Sequence, residues 1–86
     1  MRLGSTEIAQ MQKSVYSEQY RKILDWLIAA RKAAGLTQQQ VADRLGKPQS
    51  FVAKYEGGER RLDIVEFVTI AKLLKADPAS VIRLIT

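Results

Sequence analysis

The stretch from Gln38 to Tyr55, QQQVADRLGKPQSFVAKY, restricts the possible fold more than any other part of the chain. It predicts two short helices joined by a tight turn at Gly46, because glycine takes a positive φ without steric cost and commonly ends a helix. Thr37 and Gln40 have the spacing of a capping box, which predicts that the first helix begins at residue 38. The predicted buried faces consist of Val41, Ala42 and Leu45 in the first helix and of Val52 and Tyr55 in the second.

The two helices of this stretch are predicted to run from about Gln38 to Leu45 and from about Pro48 to Tyr55. Pro48 suits the first position of a helix, where the N–H that proline lacks would have no partner to lose. Ala42 is predicted to lie where the two helices cross, so that a larger side chain there would push them apart.

Periodic apolar residues predict three further helices with short connections. One precedes the pair and begins at Glu18. Of the two that follow it, one is capped by Asp63 and Glu66 and the last is capped by Asp77. The sequence therefore predicts an all-α fold, a compact five-helix domain over residues 18–86. The predicted inner faces contain Tyr20, Ile23, Leu24, Leu27, Ile28, Arg31 and Ala34 in the first helix, Ile64, Phe67, Val68, Ala71 and Leu74 in the fourth, and Val81, Ile82 and Ile85 in the fifth.

Residues 1–17 precede this domain and have the least regular pattern of the chain. Ile8, Met11 and Val15 have helical spacing between polar residues, whereas Gly4 favours a loose start. The sequence leaves two alternatives open for this segment: an N-terminal arm, or a short amphipathic helix that packs on the domain or on a partner.

The composition restricts the chemistry that is available to the chain. Its 86 residues include no cysteine and no histidine, which excludes disulfides, thiolate or imidazole metal sites, and catalysis by either side chain. Because the nine acidic residues are scattered, no nucleophile–base pair is indicated, and we predict that the protein is not an enzyme and needs no metal or cofactor. A net charge of +5 and a pI near 9.8 favour a polyanionic partner.

Nothing in the sequence indicates a membrane or a small-molecule ligand. No apolar run approaches the length of a membrane span, and the N-terminus lacks the continuous apolar core of a signal peptide. We therefore predict a cytoplasmic protein.

Four residues of the opening stretch, Gln38, Ala42, Gly46 and Val52, stand at the first, fifth, ninth and fifteenth places of a helix-turn-helix motif over residues 38–57. With its flanks, the motif resembles the Cro/repressor-type (XRE) family of DNA-binding domains. The resemblance implies a nucleoid-associated, sequence-specific transcriptional regulator that binds a double-stranded DNA operator. It further implies a repressor that acts as a homodimer on a palindromic operator.

In such domains the second motif helix lies in the major groove, where each base pair shows a distinct pattern of donors and acceptors. Gln49 suits adenine, because its amide can donate a hydrogen bond to N7 and accept one from N6. The resemblance also implies base contacts by Ser50 and Lys54, and Ala53 can touch a thymine methyl group.

Predicted phosphate contacts lie around this helix. Gln38 opens the first motif helix, where free N–H groups and the helix dipole favour an anion. Pro48 and Phe51 replace the polar residues that family members often carry at their positions. The other predicted phosphate contacts are Lys47, Phe51, Arg60 and Arg61, of which Phe51 can also touch a thymine methyl group.

Arg31 falls on the apolar stripe of the first helix, although an isolated buried charge is costly. The resemblance implies that its partner is Glu56, at the end of the second motif helix. We therefore predict an ion pair between Arg31 and Glu56 that ties the first helix to the motif. The alternative is an arginine whose charged end extends to water.

Two points stay open at the level of sequence. The alternative function is a helical protein-interaction module, with antitoxin-like partner binding and no specific DNA contact. It predicts an acidic or apolar surface on the second motif helix, where this chain has Gln49, Ser50 and Lys54. For the surface of a homodimer, Leu73, Leu84 and the N-terminal segment are candidates.

Overall fold

Helices make up most of the chain. The computed structural model describes the backbone of residues 5–86 and the side chains of residues 18–86. In that part of the chain the helices are α1 (Ser5–Ala33), α2 (Gln38–Leu45), α3 (Gln49–Glu56), α4 (Ile64–Leu73) and α5 (Ala79–Ile85), and there is no strand. The all-α, five-helix fold predicted from the sequence is confirmed. Among the described residues, no helix combines the length and the apolar character that a membrane span requires.

The first helix is longer than the sequence predicts. α1 begins at Ser5, well before the start predicted at Glu18, and its backbone is helical across residues 17 and 18. Residues 1–4 and all side chains before Glu18 are outside the described part of the chain, so the loose start and the amphipathic face predicted for that segment remain predictions. The division predicted there between an arm and a domain also remains a prediction.

Local signals around the predicted turn form as expected. The Thr37 hydroxyl accepts a hydrogen bond from the Gln40 backbone N–H at 3.1 Å, and the Gln40 side chain accepts one from the Thr37 N–H at 2.9 Å. Gly46 ends α2 in the left-handed conformation, with a φ of 67°. Pro48 is the N-cap of α3, so the helix begins at Gln49, one residue after the predicted start at Pro48. Because proline offers no side-chain cap, contacts from neighbouring helices hold the start of α3.

Side-chain hydrogen bonds to the backbone also mark the starts of the last two helices. Asp63 and Glu66 form a second capping box at the start of α4, as predicted. Before α5, the Asp77 carboxylate accepts a hydrogen bond from the Ala79 N–H at 3.0 Å. Both helices are thus positioned by side chains within three residues of their first turn, as is α2.

One hydrophobic core joins the five helices, and three residues predicted to face it lie elsewhere. Ile64 and Ile82 are 68% and 52% exposed, because they line an open groove between α1, α4 and α5 that no described segment fills. Ala34 is exposed because α1 ends one residue before it. Ile70, which was not assigned to the inner face, is buried in α4. The buried core consists of Leu24, Leu27, Val41, Ala42, Val52, Tyr55, Phe67, Ile70, Leu74 and Val81.

A residue with an unfavourable backbone conformation follows α4 and allows a first test. Lys75 has a left-handed φ of 58°, and its N–H donates to the Lys72 carbonyl at 3.0 Å. This conformation costs a residue with a side chain about 1–2 kcal/mol, which glycine avoids at an entropic cost of roughly 0.5–1 kcal/mol. We expect Lys75→Gly to raise the free energy of unfolding by about 0.5–1 kcal/mol in urea denaturation. Lys72→Gly, inside α4, should lower it by about 1 kcal/mol, and a loss of stability at both positions would contradict the prediction.

Candidate nucleic-acid interface

α3 buries one face and exposes the other. Val52 and Tyr55 on its inner face have no exposed surface. With eight residues, α3 is too short to persist alone in water, so its neighbours fix the direction in which its outer face points. That outer face consists of the exposed Gln49, Ser50 and Lys54 and the half-buried Ala53.

The last residue of α3 is a buried acid at the centre of a hydrogen-bond network. Glu56 is 6% exposed. Arg31 Nε donates to Glu56 Oε2 at 2.7 Å and Arg31 Nη2 donates to Glu56 Oε1 at 3.1 Å, so the ion pair predicted from the sequence is present and has two hydrogen bonds. The hydrogen bond to Glu56 raises the pKa of Arg31. The pair therefore fixes the end of α3 to α1.

The network continues from Glu56 to the start of α3 through two glutamine amides. Gln38 Nε2 donates to Glu56 Oε1 at 2.8 Å, and Gln49 Nε2 donates to Gln38 Oε1 at 2.7 Å. We call this chain of Glu56, Gln38 and Gln49 the amide relay. It links the buried end of α3 to a solvent-exposed amide on the first residue of the same helix. The start of α3, which has no side-chain cap of its own, is thus held from α2.

A second arginine of α1, which the sequence does not single out, also contacts the end of α3. Arg21 Nη2 donates to the Glu56 carbonyl at 3.1 Å, and Arg21 Nε donates to Asp25 Oδ1 at 2.9 Å. The spacing of four residues between Arg21 and Asp25 is a signal for their surface pair. The contact with α3 depends on how the helices pack, and no local spacing indicates it.

Basic residues after α2 and α3 meet on an aromatic ring. Arg60 Cζ lies 4.7 Å and Lys47 Nζ lies 5.7 Å from the centre of the Phe51 ring. Arg60 also donates to both oxygens of Glu66, at 3.2 and 2.8 Å, which raises the pKa of Arg60 and lowers that of Glu66. The Phe51 ring is half-buried and packs edge-on against Tyr55, with 5.7 Å between ring centres. The surface beside α3 thus has two cations, Lys47 and Arg60, and Glu66 partly neutralises the charge of Arg60.

Comparisons with known proteins identify the family of this chain. The helix-turn-helix family model matches residues 27–81 of the chain. Among solved structures, an XRE-family like protein from Pseudomonas syringae pv. tomato str. DC3000 has 43% sequence identity and a TM-score of 0.81, over 87% of this chain and 92% of that one. The chain belongs to the XRE family. As a member of that family it is a DNA-binding transcription regulator. A search of curated proteins found no match.

In this XRE-family domain six of the predicted DNA contacts form three groups, and the other three, Ser50, Ala53 and Lys54, lie on the outer face of α3. Gln38 and Gln49 are in direct contact at the junction of α2 and α3. The Arg61 guanidinium lies 4.4 Å from the centre of the Tyr20 ring of α1, while the Arg61 carbonyl accepts a hydrogen bond from Arg60 Nη1 at 3.3 Å. The third group consists of Lys47, Phe51 and Arg60. A phenyl ring has no donor for a phosphate, so the phosphate contact predicted for Phe51 can only be one of packing.

Proposed function

We propose that this XRE-family domain is a repressor that binds a palindromic double-stranded DNA operator as a homodimer, with α3 in the major groove. The observation that supports this most directly is the exposed amide of Gln49, held in place by Gln38 at the start of α3. A base-reading side chain that is fixed before binding loses less conformational freedom on contact with DNA. Repression then follows from occupancy of the operator, in the cytoplasm and at the nucleoid.

Gln49 has the donors and the acceptor for one adenine. One N–H of its Nε2 is used by Gln38, which leaves a second N–H to donate to adenine N7, and its Oε1 can accept from adenine N6. Ser50 and Lys54 are exposed on the same face for neighbouring base edges, and Ala53 for a thymine methyl group. Four adjacent side chains would thus read a half-site of a few base pairs.

Phosphate contacts are proposed on both sides of this reading face. Gln38 is the first residue of α2, and the second N–H of its amide remains for a phosphate beside the helix N-terminus. Lys47 and Arg60 extend over the Phe51 ring, so that Phe51 positions two cations beside α3. Arg61 follows in the same loop. Phosphate contacts set the register of the protein on DNA and make its affinity depend on salt.

Replacing Gln49 with alanine tests the reading role. We expect Gln49→Ala to weaken binding to the preferred duplex by about 1–3 kcal/mol and to relax the preference at one base pair, because the substitution removes a bidentate contact. Arg61→Ala is the matched control, since it should weaken binding to all sequences and reduce the slope of affinity against salt. The measurement is fluorescence anisotropy with selected and random duplexes at several salt concentrations. If Gln49→Ala weakened both duplexes equally, base reading by Gln49 would be excluded.

A homodimer would place two α3 helices on half-sites about one helical turn apart, ~34 Å. Leu73, one candidate for its surface, is half-buried and packs against the core. Leu84 is 48% exposed. Ile64 and Val65 at the start of α4 are 68% and 71% exposed, and the open groove beside them contains Ile82. Ile64 and Ile82 line the same groove, and this apolar groove supports a homodimer through α4 and α5.

A charge on this surface tests the homodimer. Ile64→Lys should leave the fold intact, because Ile64 is largely exposed, and should shift the protein to a monomer. Binding to a palindromic operator should weaken at least tenfold, while binding to a single half-site stays unchanged. Ala29→Lys, an exposed change on α1 outside this groove, is the control. Sedimentation of the wild-type protein as a monomer, both free and on DNA, would refute the homodimer.

The exposed face of α3 also bears on the alternative, a protein-interaction module without specific DNA readout. Such a module would need an acidic or apolar face for its partner. Of the four outward residues, Gln49 and Ser50 are polar and uncharged, Lys54 is basic, and Ala53 is half-buried. This face favours nucleic acid over a protein partner.

A further inference from the structure

A carboxylate lies among the cations that extend beside α3. Arg60 donates to both oxygens of Glu66, from Nη1 at 3.2 Å and from Nη2 at 2.8 Å. Arg60 and Lys47 are the two cations over the Phe51 ring. The hydrogen bonds from Arg60 lower the pKa of Glu66, and the charge of Lys47 acts weakly in the same direction. Glu66 is therefore ionised at neutral pH and offsets positive charge at this place.

The start of α4 fixes the Glu66 side chain independently of Arg60. Glu66 Oε1 accepts from the Asp63 N–H at 3.0 Å, and the Glu66 N–H donates to Asp63 Oδ1 at 2.7 Å. The capping box thus holds the carboxylate in place, and the longer Arg60 side chain reaches to it. The Arg60 side chain is 42% exposed, so an anion from solvent can also reach it.

A carboxylate and a phosphate compete for the same donors of an arginine. Each binds a guanidinium through two parallel N–H···O hydrogen bonds. In Arg60 the pair of donors Nη1 and Nη2 is already used by Glu66, and Nη1 also donates to the Arg61 carbonyl at 3.3 Å. A phosphate that approaches Arg60 must therefore displace the carboxylate or bind a cation whose charge Glu66 already offsets.

We propose that Glu66 is an internal substitute for a DNA phosphate, which holds Arg60 in the free protein and weakens the binding of all duplex DNA. This inference rests on the proposed function, in which Lys47 and Arg60 contact phosphates beside α3. Phosphate contacts carry no sequence information, so Glu66 limits the sequence-independent part of the affinity. The share of the binding free energy that comes from base contacts is correspondingly larger.

Replacing Glu66 with glutamine removes this competition. A glutamine keeps an oxygen for the capping box, which accepts either residue at this position, and lacks the charge that occupies Arg60. We expect Glu66→Gln to bind selected and random duplexes about two- to tenfold more tightly at low salt. The slope of log affinity against log salt should become steeper by up to about 0.9, the value for one further phosphate. The measurement is fluorescence anisotropy across a series of salt concentrations.

Two further variants separate this effect from net charge. Glu18→Gln removes one negative charge at an exposed position of α1, and it should change the affinity by less than about twofold. In the Arg60→Gln background, Glu66→Gln should give little gain, because the cation that it releases is absent. Urea denaturation of each variant checks that the fold is retained.

The outcomes distinguish this inference from the proposed function. If Arg60→Gln weakens binding and flattens the salt dependence, but Glu66→Gln binds no more tightly than the wild-type protein, the phosphate contact stands and the inference is wrong. A full gain from Glu66→Gln in the Arg60→Gln background would also overturn it, because Glu66 would then act only by repelling DNA. If neither single substitution changed the affinity or its salt dependence, the phosphate contact of Arg60 and the inference would both fail.

Discussion

Replacing Arg31 with methionine is expected to lower the free energy of unfolding by about 3–5 kcal/mol. The loss arises because the Glu56 carboxylate, which is only 6% exposed, loses its cationic partner. Arg31 donates two of the three hydrogen bonds that the Glu56 side chain accepts. A further Arg31 hydrogen bond, to the Leu36 carbonyl at 2.9 Å, is lost as well. Domains are typically stable by only about 5–15 kcal/mol, so urea denaturation followed by circular dichroism should show a much lower midpoint.

An exposed ion pair on the same helix provides the matched control. The side chains of Arg21 and Asp25 are 45% and 65% exposed, and they form a hydrogen bond of 2.9 Å. Asp25→Asn removes that charge pair and should cost less than about 1 kcal/mol, because water screens both partners. If Arg31→Met cost no more than Asp25→Asn, the Arg31–Glu56 pair would not be the main connection between α1 and α3.

A double variant tests the physical cause of the loss. If the cost arises from an unpaired buried carboxylate, replacing Glu56 with leucine in the Arg31→Met background should recover part of the stability, since the charge is then absent. It should not recover base preference, because Gln38 would lose the acceptor that orients it. Stability and base reading would thus respond differently to the same substitution.

Sequence reasoning succeeded where the determining signal is local. Thr37 and Gln40 are three residues apart, as are Asp63 and Glu66, and each pair forms the predicted capping box within one helical turn. Gly46 ends α2 because its own φ is positive. The Arg31–Glu56 pair was predictable for a different reason: a charge on an apolar stripe needs a partner, and the family resemblance indicated which one.

The relay was not predictable from the sequence in the same way. Gln38 and Gln49 were each assigned an outward role, but their contact depends on the angle at which α3 leaves the turn after α2. The spacing of Ile64 and Ile82 alone places them on inner faces. Their exposure therefore depends on how the helices pack in three dimensions. Local patterns predicted which residues lie on the exposed face of α3, whereas the contacts that hold Gln49 there depend on helix packing.

The second large effect is expected from alkaline pH and involves Tyr55. This side chain has no exposed surface, and its hydroxyl has no hydrogen-bond partner within the described residues. Burial, and to a lesser degree the neighbouring Glu56 carboxylate, raise the pKa of Tyr55 from 10.0 to about 12, while Arg31 acts in the opposite direction. The folded protein therefore keeps the phenolic proton at pH values where the unfolded chain has lost it.

The sign of the pH effect follows from which state holds the proton. Below about pH 9 Tyr55 is protonated in both states and adds no pH dependence. From pH 10 to 12 the unfolded chain binds fewer protons than the folded one, so the free energy of unfolding falls as the pH rises, by roughly 2 kcal/mol in total for this residue. Tyr55→Phe keeps the ring and removes the ionisation, so the variant should lack this part of the loss.

The measurement is the difference in unfolding free energy between the wild-type protein and Tyr55→Phe, by urea denaturation from pH 8 to pH 11.5. All other ionisable groups are common to the two proteins, so their effects largely cancel in the difference. At pH 8 the variant should be as stable as the wild type or slightly more stable, since it removes a buried hydroxyl without a partner. Above pH 10 its advantage should grow steadily. A difference that stayed constant across this range would show that Tyr55 ionises equally readily in both states.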